Sequence, residues 1–195
     1  MNWPGRRRWA ATLLCAASLA CAQQRADVPY VRTPANVVEA MLEIAAVTRD
    51  DYLIDLGSGD GRISFAAAIA RGARSTGIEL DPNLVDAAGR EAARQGIGDR
   101  VNFVNANIFV YDFSPASVLS MYLLPHINVS LRPRILQMKP GTRVVSHDFD
   151  MGSWRADAQR EVPVPDKPYG APVSQVYLWY VPADRKSTRL NSSHT

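Results

Sequence analysis

Residues 53–61 read Leu-Ile-Asp-Leu-Gly-Ser-Gly-Asp-Gly, and residues 77–81 read Gly-Ile-Glu-Leu-Asp. The first stretch predicts a buried strand over 52–56 that runs into a glycine turn, followed by a helix from about residue 62 to 70. The second stretch predicts a strand that ends at Glu79. A strand, a helix and a second strand in this order are typical of a doubly wound α/β protein with a mostly parallel sheet.

The glycine turn predicts a ligand site, because glycine allows backbone angles that other residues avoid and lets a ligand approach the main chain. Ligands of open α/β sheets lie beyond the carboxyl ends of the strands. A dinucleotide would need the spacing G-x-G-x-x-G and a turn that tolerates a pyrophosphate. Here the spacing is G-x-G-x-G, and Asp55 and Asp60 flank it. Two carboxylates repel a pyrophosphate but favour the ammonium and sulfonium of S-adenosylmethionine. A glycine-rich turn without a ligand is the remaining alternative.

The two stretches resemble a known family. Residues 55–61 resemble motif I of class I S-adenosylmethionine-dependent methyltransferases, and residues 77–79 resemble motif II. Residues 28–34, Val-Pro-Tyr-Val-Arg-Thr-Pro, resemble the segment before motif I in a lysine methyltransferase-like group. That group includes mitochondrial enzymes acting on the ATP synthase c-subunit and the adenine nucleotide translocase, with bacterial relatives. The resemblance runs from about residue 28 to 181 and implies a single Rossmann-like domain with a seven-stranded sheet.

The resemblance implies roles for individual residues around the cofactor. Residues of the turn and of the strand before it are expected to contact the methionine and ribose side of the cofactor. These residues are Asp55, Gly57, Ser58, Gly59 and Asp60. Glu79 is expected to accept hydrogen bonds from the ribose hydroxyls, with Leu80 beside the adenine.

Three further residues have two interpretations each. Asn107 stands where many family members carry an acid that meets the adenine amino group; the alternative is a residue that makes a local turn. Tyr30 and Thr33 are expected to close over the methionine end; the alternative is an extended lead-in and a helix cap.

The acceptor site is expected after the fourth strand, where residues 121–125 read Met-Tyr-Leu-Leu-Pro. Tyr122 is the candidate to line an acceptor channel. The segment lacks the Asn/Asp-Pro-Pro-Tyr pattern of amide-nitrogen and adenine methyltransferases. His126 and the pair His147-Asp148 could supply a base for a lysine acceptor, although a histidine is more often structural.

Composition excludes several classes of site. The chain carries a formal net charge of +3, but residues 1–22 contribute +3 and residues 184–195 contribute +2, so the remainder carries −2. The basic balance is therefore no evidence for nucleic-acid binding. Cys15 and Cys21 both precede residue 23. A disulfide framework, a cysteine–zinc site and a cysteine nucleophile are excluded from the rest, and no metal is expected.

The chain divides into four predicted segments. Residues 1–22 read as a secretory leader with a basic start, a short apolar run and an A-x-A cleavage site, which suggests an exported, periplasmic or envelope protein. A lipid anchor at Cys21 and an uncleaved leader are alternatives, and a cytoplasmic location follows if the leader is inactive. Residues 23–50 form a lead-in and helix, and residues 51–183 form the methyltransferase domain. Residues 184–195 resemble a translated sequencing adapter, which would leave the domain truncated; a disordered polar tail is the alternative.

Further elements are predicted along the domain. Helices are expected from residue 34 to about 47, over 82–95 and over about 128–138, and strands at 101–104, 117–123, 142–146 and 173–181. The resemblance to the methyltransferases implies that the last two strands form an antiparallel edge. Trp154 and Trp179 are expected in the core. The favoured function is methyl transfer from S-adenosylmethionine to a protein lysine. A small-molecule methyltransferase and a cofactor-binding domain without turnover remain open.

Overall fold

A seven-stranded sheet forms the centre of the molecule in the computed structural model, which describes residues 31–168 and 170–183. The helices are α1 (Ala35–Ile44), α2 (Arg62–Arg71), α3 (Pro82–Arg94) and α4 (Pro125–Ile135). The strands are β1 (Tyr52–Leu56), β2 (Arg74–Glu79), β3 (Val101–Asn105), β4 (Val118–Met121), β5 (Arg143–His147), β6 (Ala158–Pro163) and β7 (Val173–Tyr180).

The strand order is β3-β2-β1-β4-β5-β7-β6. The first five strands in this order are parallel to one another, and β7 is antiparallel to both β5 and β6. This confirms the doubly wound α/β fold as a single domain, with the predicted antiparallel edge. The chain order reverses between β1 and β4, which is where such sheets bind ligands.

Two apolar layers pack on the faces of the sheet. One layer includes α1 and α2 residues such as Met41 and Ile63, and the other includes α4 residues such as Leu131 and Ile135. Trp154 and Trp179 are buried in the second layer, as expected. Among the described residues, no helix combines the length and the hydropathy that crossing a bilayer requires.

Three details of the sequence prediction are wrong. Helix α4 begins at Pro125, three residues earlier than expected, because proline fits the first turn of a helix. Thr33 does not cap α1: the helix begins after Pro34, with no side-chain cap. Strand β6 is missing from the prediction, because its residues are almost all exposed and lack a repeating apolar face.

Three segments of the sequence prediction and one residue role lie outside the described residues. The segments are the leader at 1–22, the lead-in up to residue 30 and the tail at 184–195, and the role is that of Tyr30. They stay predictions.

Candidate functional site

The turn after β1 is folded back over the end of β2. The backbone N–H groups of Gly57 and Ser58 both donate to the carbonyl of Ile78, at 2.9 and 3.0 Å, and Gly61 donates to Ser58 at 2.8 Å. Gly57, Gly59 and Gly61 all have positive φ, of 73°, 54° and 82°. The left-handed conformation is inexpensive for glycine alone, so these residues permit a turn this tight at the switch point.

Glu79 joins the two motifs. Its Oε2 accepts a hydrogen bond from the N–H of Gly59 at 2.9 Å, and its Oε1 accepts from the N–H groups of Leu80 and Asp81 at 2.8 and 3.0 Å. These three backbone donors, one from the glycine turn and two from the residues after β2, fix the orientation of the carboxylate. A preorganised carboxylate at the end of β2 has the geometry that recognition of a diol requires.

Asp55 is a buried acid inside the sheet, and the hydroxyl of Ser120 on neighbouring β4 donates to its Oδ1 at 2.7 Å. Burial raises the pKa of Asp55 to about 7, against the effect of the Ser120 hydrogen bond, and the negative charges of Glu79 and Asp60 act in the same direction as burial. The carboxyl group is therefore half protonated near neutral pH, and a cation placed beside it would favour its charged form.

Asp60 is engaged by arginine. The Arg62 guanidinium donates to both carboxylate oxygens, with Nε–Oδ1 and Nη2–Oδ2 distances of 2.9 and 2.5 Å, and Arg32 lies 3.6 Å from Oδ2. Arg62 also donates to the carbonyl oxygen of Thr33 at 2.7 Å. Asp60 thus holds the segment before α1 against the glycine turn, which adds a structural task to the role in cofactor binding that the sequence predicts for it.

The residues predicted for the acceptor side lie at the ends of β4 and β5, and this region is called the acceptor side below. Tyr122 directly follows β4, and its ring centroid lies 3.9 Å from that of His147, the last residue of β5. The Tyr122 hydroxyl donates to Oδ2 of Asp148 at 3.5 Å. His147 is buried between two hydroxyls, with Nδ1 3.3 Å from Thr33 Oγ1 and Nε2 2.8 Å from Ser174 Oγ.

Burial determines the charge of His147. It lowers the pKa of the imidazole to about 4; the negative charge of Asp148 opposes this shift, and the positive charge of Lys167 adds to it. His147 is consequently neutral at physiological pH and a weak base. His126, the other candidate base, is exposed in the first turn of α4.

Residues 55–158 match the profile of the ANTKMT methyltransferase domain, which is more than half of the chain. The chain belongs to the ANTKMT methyltransferase domain family. A protein-lysine N-methyltransferase from Saccharolobus islandicus (strain REY15A) is 43% identical over 129 residues, covering 65% of this chain and 80% of the relative. An adenine nucleotide translocase lysine N-methyltransferase from Mus musculus is 33% identical over 132 residues, covering 67% of this chain and 57% of the relative.

A solved structure supports the same fold and cofactor for this member of the ANTKMT methyltransferase domain family. The crystal structure of an RNA methyltransferase from Salinibacter ruber in complex with S-adenosyl-L-homocysteine matches with a TM-score of 0.71 and 46% identity. The match covers 79% of this chain and 95% of that chain. The protein is an S-adenosylmethionine-dependent methyltransferase, as the sequence predicts.

The residues at the turn fit S-adenosylmethionine. Asp55 and Glu79 offer carboxylates to a ligand that carries an ammonium, a sulfonium and a ribose diol. Within the described residues, the hydroxyl oxygen of Ser58 is buried in the turn without a hydrogen-bond partner. A pyrophosphate would meet the carboxylates of Asp55 and Glu79, while the Asp60 carboxylate is paired with Arg62 and Arg32. The charges and hydrogen-bonding groups at the turn therefore agree with the cofactor that the family uses.

The individual cofactor contacts stay predictions, although the fold brings most of these residues to one edge of the sheet. Leu80 is half-buried directly after β2, and its N–H supports Glu79. Asn107 Oδ1 accepts a hydrogen bond from the Phe109 N–H at 2.9 Å, which is the geometry of the local-turn alternative. Thr33 is buried against His147, beside the acceptor side.

Sequence reasoning missed three residues that shape the site: Ser120, Arg62 and Lys167. Ser120 offered a signal, since it is a polar residue within the otherwise apolar strand β4. Arg62 and Lys167 offered none, because their partners are known only once the chain is folded.

Proposed function

We propose that this methyltransferase acts on the ε-amino group of a lysine in a protein. The observation that carries the proposal is the 43% identity to a relative named as a protein-lysine N-methyltransferase, over 80% of that relative. When bound, S-adenosylmethionine supplies a methyl group on a sulfonium that leaves as a neutral thioether.

The chain's own residues supply position and charge. Asp55 and Glu79 would hold the cofactor at the ends of β1 and β2, and Tyr122 borders the neighbouring end of β4. The residues around Tyr122 would place the acceptor's neutral amine in line with the methyl group for its displacement from the sulfonium. Such a displacement depends mainly on alignment and exclusion of water, so a precise site without a strong base suffices.

The Salinibacter relative is named as an RNA methyltransferase, so RNA is the competing acceptor. Two features of this chain favour protein. The net charge of residues 23–183 is −2, and phosphate binding requires a basic surface. The acceptor side carries the carboxylate of Asp148, which suits an ammonium and repels a phosphate.

Labelled methyl transfer tests the proposal. Full-length protein is incubated with methyl-labelled S-adenosylmethionine and a lysate of the source organism in which the gene is deleted. We expect label in protein, on lysine by mass spectrometry, and we expect Asp55→Ala and Glu79→Ala to abolish both cofactor binding and transfer. Label that disappears after ribonuclease treatment and survives protease treatment would show that RNA is the acceptor. Cofactor binding without transfer to any fraction would show a domain without turnover.

A further inference from the structure

A buried lysine already sits at the acceptor side. Lys167 lies in the connection between β6 and β7, and its Nζ is 2.7 Å from Oδ2 of Asp148. The same Nζ donates to the carbonyl oxygen of Val173 at 2.8 Å. The side chains of Lys167 and Asp148 are each only 11% exposed. Lysine is among the residues least often buried, so its position at this point calls for a physical account.

The position of Asp148 relative to the cofactor turn follows from strand register. Leu56 of β1 pairs with Met121 of β4, and Met121 pairs with Ser146 of β5. The residues that follow, Gly57 and Tyr122, therefore leave the sheet side by side. Asp148 follows β5 at the same edge and reaches the Tyr122 hydroxyl. A group bound at Asp148 Oδ2 is thus on the acceptor side of the glycine turn.

The backbone of Asp148 is held in an uncommon conformation. Its φ is +60°, one of two positive values for non-glycine residues in the described part of the chain. Two hydrogen bonds to Gln175 of β7 maintain it: Asp148 N–H donates to the carbonyl at 2.7 Å, and Asp148 Oδ1 accepts from the N–H at 3.0 Å. One carboxylate oxygen is therefore committed to β7, and Oδ2 faces Lys167 and Tyr122.

We propose that Asp148 Oδ2 and the Tyr122 hydroxyl form the binding site for the acceptor's lysine ammonium, and that Lys167 occupies this site as a tethered competitor. The inference rests on the proposed function. An entering lysine carries the same ammonium as Lys167, so it can replace that ammonium without leaving Asp148 unpaired. Lys167 keeps the buried carboxylate satisfied between turnovers, because an unpaired buried charge is costly.

The exchange of Lys167 for the acceptor lysine also provides a destination for the proton that the acceptor ammonium must lose. Asp148 Oδ2 accepts one proton from the bound ammonium, the freed amine lone pair forms the new carbon–nitrogen bond, and the carbon–sulfur pair returns to sulfur. The carboxyl group releases its proton to water when the methylated product leaves. Burial pushes the pKa of Asp148 up, while the hydrogen bonds from Lys167 and from the N–H of Gln175 bring it below its usual value. The entering ammonium takes the place of Lys167 at Oδ2, so Asp148 stays a charged acceptor until it takes the proton.

The first test measures binding without turnover. n-Butylammonium chloride reproduces the end of a lysine side chain, and sodium chloride at equal concentration controls for ionic strength. Lys167→Met should lower the Tm, and n-butylammonium should raise the Tm of this variant more than that of the wild type. Lys139→Met is the matched control, since Lys139 is exposed in the turn before β5 and should behave as wild type. Asp148→Asn should not respond to n-butylammonium.

Asp148→Asn is a conservative probe, because asparagine tolerates positive φ and its Oδ1 can still accept from Gln175. A Tm of Lys167→Met that n-butylammonium does not raise beyond the effect of sodium chloride would overturn the proposal. So would an equal response in the double variant Lys167→Met/Asp148→Asn.

The second test measures transfer to poly-L-lysine from saturating S-adenosylmethionine. Removing a tethered competitor should lower the KM for poly-L-lysine in Lys167→Met, on the order of threefold to tenfold, because a larger fraction of the enzyme is competent to bind. Asp148→Asn should lower kcat/KM by about tenfold or more, as expected for loss of a charged hydrogen bond, with cofactor affinity unchanged. A raised KM in Lys167→Met would indicate a purely structural ion pair. Failure of the wild type to methylate any lysine would refute the proposed function, while the n-butylammonium result would still decide the ammonium site.

Discussion

At the scale of single residues, Asp55 shows how burial changes the chemistry of a motif. The side chain lies inside the parallel sheet, with the Ser120 hydroxyl as hydrogen-bond donor. Its pKa rises from the ordinary 3.8 to about 7 through burial, and the hydrogen bond reduces that rise. The acid that identifies the motif in the sequence is thus a group that titrates at physiological pH.

This shift predicts a pH dependence of stability. The folded protein keeps the Asp55 proton up to about pH 7, whereas the unfolded chain loses it near pH 4. Between these values the folded state binds more protons, so this contribution to stability is present at low pH and is lost as pH rises through 7. Residue 55 does not titrate in the variant Asp55→Asn. The unfolding free energy of this variant, measured by urea titration, should therefore rise relative to that of the wild type between pH 4 and pH 8. A constant difference across that range would contradict the assigned pKa.

The same residue predicts proton release on cofactor binding. If a cation pairs with Asp55, binding near pH 7 should release a fraction of a proton from it, because the carboxyl group is partly protonated there. Isothermal titration calorimetry of S-adenosylmethionine in buffers with different ionisation enthalpies measures this number. Asp55→Asn should lose this release, and any residual binding should depend less on pH.

At the scale of elements, the turn between β1 and α2 depends on the strand that packs over it. A Cβ at Gly61 would lie 2.4 Å from the ring of Phe103 on β3, and a Cβ at Gly77 would lie 2.6 Å from both Phe103 and the Ser58 hydroxyl. Phe103 also meets Phe65 of α2 edge to face, with ring centroids 5.4 Å apart. The glycines of both motifs therefore serve close packing between elements as well as backbone freedom.

Two glycine-to-alanine variants separate this packing from general helix effects. Gly61→Ala should destabilise the protein by about 2–4 kcal/mol, since it combines a φ of +82° with the overlap on Phe103. Gly89→Ala is the control: Gly89 lies within α3 with nothing near its Cβ position, and alanine there should stabilise the helix by up to about 1 kcal/mol. Urea denaturation measures both. Equal effects of the two variants would contradict the packing argument.

At the scale of the whole molecule, the insertion of β7 between β5 and β6 completes the second apolar layer. Trp179 of β7 is fully buried, and its indole N–H donates to the carbonyl oxygen of Trp154 at 2.8 Å. The same strand supplies Gln175 and Ser174, which hold Asp148 and His147. The stability of the antiparallel edge and the geometry of the acceptor side are thus linked through one strand.

Truncation of Trp179 should therefore affect the whole domain. Trp179→Ala should cost about 3–5 kcal/mol, as large-to-small changes of buried aromatic residues do. Tyr180 is the neighbouring control: it is 46% exposed, and Tyr180→Ala should cost less than about 1 kcal/mol, within the range of strand propensity. Unfolding followed by tryptophan fluorescence and by circular dichroism compares them. A small effect at Trp179 would show that β7 does not support the core.

The sequence by itself determined the central strand–turn–helix–strand unit and the cofactor class. These features are local: residues 52–81 are consecutive, and the glycines and acids that decide them lie within a few positions of one another. Boundaries there agree to within a residue, with β1 predicted at 52–56 and found at Tyr52–Leu56. Apolar periodicity also identified the buried strands, but it missed β6, whose pairing with β7 gives it little buried surface.

Only the tertiary structure decided how charges are partnered. Asp60 meets Arg62 and Arg32, and the proposed acceptor side brings together Tyr122, Asp148 and Lys167, which are far apart in the chain. Burial and ion pairing depend on which strands are neighbours, and that order follows from packing of the whole sheet. The sequence could place a histidine and an acid after β5, but the neutral state of His147 and the lysine at Asp148 arise from contacts across the fold.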